Sequence, residues 1–75
     1  MYFIMTVSEL AADLVALKMG LTKFQYQFVK SAAALRNGTP RDKLILGGSW
    51  ASRQDFDIPI KMAERRGMSV SFSPM

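Results

Sequence analysis

Lys23-Phe24-Gln25-Tyr26-Gln27-Phe28 alternates polar and aromatic residues at every step, and the period assigned to it decides the fold. As a strand, the segment places Phe24, Tyr26 and Phe28 on one face of a half-buried ribbon. As a helix, it starts from Thr22, a residue type suited to the N-cap, continues through Ser31 to Leu35 with strong helix formers and ends at Asn37-Gly38. The continuation favours the helix. Phe24, Phe28 and Leu35 then share one stripe, Lys23, Gln27 and Lys30 face away, and Tyr26, Val29 and Ala33 form a second apolar strip. Two apolar strips on one helix imply two contact surfaces, one for the core and one for another chain.

Upstream, Tyr2-Phe3-Ile4-Met5 suits a short strand. Ser8 then opens an amphipathic helix in which Leu10, Leu14 and Leu17 repeat at i, i+4 and i+7, opposite Glu9, Asp13 and Ala16. Gly20 stops that helix and Lys18 suits its last turn. Downstream, Thr39-Pro40 opens a brief helical turn, and Gly47-Gly48-Ser49 breaks the chain after Leu44-Ile45-Leu46. Trp50 anchors that joint. Asp57 is expected to cap a last helix, with Pro59 in its first turn, Ile58 and Met62 facing inward, Arg65 and Arg66 near its end and Gly67 closing it. Met68 to Ser73 alternates as an edge strand would, and the two terminal strands are free to pair with each other or with a symmetry mate. The fold class expected is mainly α: a small three-helix domain with short terminal β-strands, dimeric, with an α+β arrangement as the alternative.

Seventy-five residues make one domain, 1–75, with a thin core, because a chain this short buries only about 60 per cent of its unfolded surface. Cysteine and histidine are both absent, which removes disulfides, thiolate metal sites and the commonest nitrogen ligand. The same absence removes the usual nucleophile and general base, so no catalytic residue, metal or cofactor is expected. Glu9 with Asp13, and Asp55 with Asp57, are helix-start and capping acids. Gly47-Gly48-Ser49 lacks the lysine and spacing of a phosphate loop.

The apolar fraction is 49%, with eight aromatic residues and six methionines, more than a monomer of this size readily hides. A homo-oligomer or a partner-bound state follows. No uncharged stretch approaches the roughly 20 residues of a membrane span, and the first five residues lack the basic region of a signal peptide. A cytoplasmic protein is expected. The net charge of +4 suits a polyanion partner as well as ordinary solubility.

Residues 12–31, with Ala16-x-x-x-Gly20-Leu21-Thr22 between apolar Val15, Met19 and Val29, resemble the turn region of helix-turn-helix DNA-binding proteins. The resemblance implies a small transcriptional regulator whose Lys23, Gln25, Gln27 and Lys30 face duplex DNA. The order strand, helix, glycine turn, helix is similar, in architecture only, to ribbon-helix-helix repressors. The alternative is a protein-binding inhibitor or adaptor, of the kind found among anti-host factors of phages and plasmids. Its target would meet an aromatic and methionine-rich surface at Tyr26, Phe28, Trp50, Arg65 and Arg66.

Overall fold

The computed structural model describes residues 1–73 and shows an α+β domain around a four-stranded, wholly parallel sheet. The elements are β1 (Tyr2–Met5), α1 (Glu9–Met19), β2 (Tyr26–Phe28), a 3-10 turn at Ala32–Leu35, β3 (Lys43–Leu46), a second 3-10 turn at Trp50–Ser52, α2 (Asp57–Arg65) and β4 (Ser69–Phe72). The spatial order is β2-β1-β3-β4. The expectation of a mainly α, three-helix domain is therefore wrong, and the terminal strands do not pair with each other.

The error lies at residues 22–35. They form a turn, a strand and a 3-10 turn instead of one helix, with Tyr26, Gln27 and Phe28 in register with Tyr2, Phe3 and Ile4. The alternation is a strand signal only in its second half, Tyr26-Gln27-Phe28; residues 23–25 form the turn before it and leave Phe24 93% exposed. Tyr26 and Phe28 pack toward α1, and Gln27 points away on an edge strand covered on one face. Tyr2-Phe3-Ile4-Met5 and Leu44-Ile45-Leu46, by contrast, are near-continuous apolar runs because β1 and β3 are central and covered on both faces. Phe3, Met5, Leu44 and Leu46 enter one cluster with Val29, Leu35, Ala63 and Met68. Ile4 and Ile45 enter the other, with Ala12, Val15 and Ala16 of α1.

The helices cover opposite faces for a topological reason. A parallel crossover is right-handed; the step from β1 to β2 runs one way along the sheet, and the steps from β2 to β3 and from β3 to β4 run the other. Equal handedness then sends α1 to one face, and the Ala32–Leu35 turn and α2 to the other. The two clusters divide accordingly.

The α1 boundaries follow the sequence. The Ser8 hydroxyl accepts the Ala11 N–H, and Gly20 ends the helix at φ 74° with its N–H returning to the Ala16 and Leu17 carbonyls. Its buried face does not: Ala12, Val15 and Ala16 lie on the sheet, and the three leucines point outward. Small side chains let the helix settle close over Ile4 and Ile45. On α2, Asp57 is the first helical residue and Phe56 occupies the cap position. Ile58 is exposed; Pro59 and Ala63 are the buried residues.

Candidate protein-binding face

In an open parallel sheet, the crevice beyond the carboxyl ends of the strands, where the order reverses, is the usual place for a ligand. Here it lies between β1 and β3, and protein fills it. The Gly48 carbonyl accepts the Val7 N–H at 3.0 Å, and the Gly47 N–H donates to the Met5 carbonyl at 3.0 Å. A β-carbon on Gly48 would stand 2.9 Å from Ala11 Cβ and 3.1 Å from Thr6 Cγ2, so only glycine fits the joint. Arg53 closes the neighbouring end. Its guanidinium donates to the Thr6, Val29 and Lys30 carbonyls and pairs with Asp55. Its cationic carbon lies 5.9 Å from the Phe28 ring centre. That ion pair holds the Asp55 carboxyl below its ordinary value, the hydrogen bond from Arg53 being the main cause.

The open chemistry is on α1. Leu10 is 71%, Leu14 50% and Leu17 74% exposed, and Val7 just before the helix is 51% exposed. With Ala12, Val15 and Ala16 buried beneath, the helix is apolar around most of its circumference, a pattern of an element covered on both sides. Beside the leucines, an open groove of about 290 Å3 runs between α1 and β2, lined by Asp13, Leu14, Leu17, Leu21, Lys23 and Tyr26. A second, of about 300 Å3, is lined by Glu9, Gln27 and Phe28 and shares Asp13, Lys23 and Tyr26 with the first. The ridge between them is a hydrogen bond of 2.7 Å from the Tyr26 hydroxyl to Asp13 Oδ1. That bond, followed by desolvation and the charges of Asp13 and Glu9, raises the Tyr26 hydroxyl above its usual value and keeps it a donor.

Full burial of a leucine side chain contributes about 1.5–3 kcal/mol, so covering three that are half to three-quarters exposed offers about 3–6 kcal/mol in total. Association costs at least about 4 kcal/mol. The leucines alone give weak binding, and the grooves and the Glu9 and Asp13 carboxylates must supply the rest.

The residues expected to contact DNA are exposed but lie on the β2 edge and its flanking turns. The Gln25 side-chain oxygen accepts the Thr22 N–H at 2.8 Å and closes the turn, and the Lys30 carbonyl is held by Arg53. A second helix for groove insertion is not formed by residues 22–31. The residues expected at a protein interface do not converge either. Tyr26 and Phe28 lie beside α1; Trp50 packs between Phe56 and Phe72 at centroid distances of 6.0 and 6.1 Å; Arg65 and Arg66 sit at the far end of α2. The leucine stripe is visible in the sequence, but an amphipathic helix ordinarily turns such a stripe to the core, and here the smaller Ala12, Val15 and Ala16 take that place. Among the described residues no helix is long and apolar enough to cross a membrane. Searches of protein-family models, curated proteins and solved structures find no match to this chain.

Proposed function

We propose that this protein acts by binding another protein, as an inhibitor or adaptor, through the outer face of α1. The observation that supports the reading is the exposed run Val7, Leu10, Leu14 and Leu17 on a helix whose opposite side is already buried. Acid flanks the run at Glu9 and Asp13. The partner is a protein that offers an apolar helical surface bordered by lysine or arginine, the helix-in-groove mode of recognition. The anchors would be the leucines, with the two grooves beside Tyr26 taking partner side chains.

The test uses two labelled amphipathic peptides with the same leucine face, one with lysine and one with glutamate flanks, followed by fluorescence anisotropy. The lysine peptide binds with a dissociation constant between about 10 μM and 1 mM, and Leu14→Glu with Leu17→Glu weakens it at least tenfold while the circular dichroism spectrum is unchanged. Equal binding by wild type and the double variant, or no binding of either peptide, overturns the proposal. Duplex DNA titrated at 50 and 200 mM salt provides the rival outcome: tight, strongly salt-dependent binding unaffected by the leucine variant would favour a nucleic-acid partner.

A further inference from the structure

At the opposite end of the molecule, an open cavity of about 320 Å3 is lined by Gly38, Met62, Arg65 and Arg66. Its floor is tight: a β-carbon on Gly38 would stand 2.6 Å from Met68 Sδ and 3.7 Å from Arg66 Cδ. The loop that supplies Gly38 also carries Arg36 and Arg41 and packs on the α2–β4 turn, where Pro40 Cγ would lie 3.5 Å from a β-carbon on Gly67. Segments 36–42 and 62–67 together carry a net charge of +2, half of the chain's +4. Of their two acids, Asp42 is engaged by Thr39 and the amino terminus.

Arginines at the end of a helix ordinarily serve its last carbonyls, but here the backbone does so. The Arg66 N–H donates to the Met62 and Ala63 carbonyls, the Gly67 N–H to Glu64 and the Met68 N–H to Ala63. Arg65 and Arg66 have no ion pair or side-chain hydrogen bond among the described residues. Two free guanidinium forks beside a thioether and a bare glycine backbone make a site that is cationic at the rim and apolar within.

We infer that this cavity binds a small organic phosphate monoester, its dianion held by Arg65 and Arg66 and its organic body resting on Met62. A phosphate carries about two negative charges at neutral pH and matches two guanidinium forks; a carboxylate or sulfate ester supplies one. The site is independent of the α1 face.

The probes are phenyl phosphate, phenyl sulfate and benzyl alcohol, titrated by calorimetry at 50 mM salt. Phenyl phosphate binds, phenyl sulfate binds at least several-fold more weakly and benzyl alcohol gives no heat. Arg65→Ala with Arg66→Ala lowers phenyl phosphate affinity at least tenfold. Lys18→Ala with Lys23→Ala, which removes the same charge on the other side, changes it less than twofold. Absence of phenyl phosphate binding, equal affinity for the sulfate, or equal loss in the two double variants overturns the inference. Arg65→Lys with Arg66→Lys keeps both charges and guards against a folding defect: it retains charge attraction but loses the fork, so its affinity falls between wild type and the alanine pair.

Discussion

Arg53→Met removes the guanidinium that ties together the carboxyl ends of two strands and leaves the side-chain stem in place. The Thr6 and Val29 carbonyls, on buried residues, lose a charged donor; the Lys30 carbonyl is exposed and water replaces its partner. Hydrogen bonds to charged groups contribute about 1.5–3 kcal/mol each. Two of them, partly rescued by water, give a loss of about 3 kcal/mol. A chain of 75 residues has a total stability of about 4–11 kcal/mol, so the change is a large fraction of the whole and lowers the melting temperature by about 12–24 °C. Urea unfolding followed by far-ultraviolet circular dichroism measures it. Arg53→Lys, which retains charge but not the planar fork, should lose about half as much. A Met variant within about 0.5 kcal/mol of wild type would refute the assignment of Arg53 as the tie between β1 and β2.

The orientation of α1 separates two neighbouring substitutions: Ala16→Leu, against the sheet, should cost about 1–3 kcal/mol by overpacking, whereas Leu17→Gln should stay within about 0.5 kcal/mol, and the reverse order in denaturant midpoints would show the helix turned the other way. Gly48→Ala meets Ala11 and Thr6 at φ +52° and should cost about 2–4 kcal/mol from backbone strain and crowding together. Gly20→Ala, at φ +74° with nothing within 4 Å, should cost only about 1–2 kcal/mol, and equal losses would argue against a tight joint between β1 and β3. Asp42 and Asp55 both titrate below their ordinary 3.8, the first through the Thr39 N–H and the second through Arg53. Their contribution to stability is in place above that value and is lost as pH falls through their lowered values; Asp55→Asn should flatten the acid side of a urea-midpoint profile, and parallel profiles would contradict the pairing.

Much of the local structure is legible in the sequence. Ser8 and Gly20 bound α1 as side-chain capping and left-handed backbone require, and Gly67 ends α2 at φ 73°. The strands at the two ends of the chain, Tyr2–Met5 and Ser69–Phe72, are legible as strands, but the sheet that joins them is not: Leu44–Leu46 is too short to show a period, and the place of β1 and β3 as central strands covered on both sides depends on pairing between distant residues. The second half of the 23–28 alternation carried the strand signal, but the alanines after it form only a single 3-10 turn that steps across β1 toward β3. Tertiary pairing overrode helix propensity there. The candidate site was half legible: Leu10, Leu14 and Leu17 stand out as a stripe, but a stripe does not say which side is buried. That is decided by Ala12 and Ala16, whose small size suits the close approach to Ile4 and Ile45. The isolated arginines at 65 and 66 were visible as charge, and their lack of partners only in three dimensions.

The reading of α1 as a binding face is tested most directly by mapping amide chemical shifts on the labelled protein as the lysine-flanked leucine peptide is added. Shifts concentrated on Val7 through Lys18 and on Tyr26, with Trp50, Phe72 and residues 62–67 unmoved, are the predicted result. Shifts centred on the Trp50 cluster or on residues 62–67, or none at saturating peptide, would contradict it.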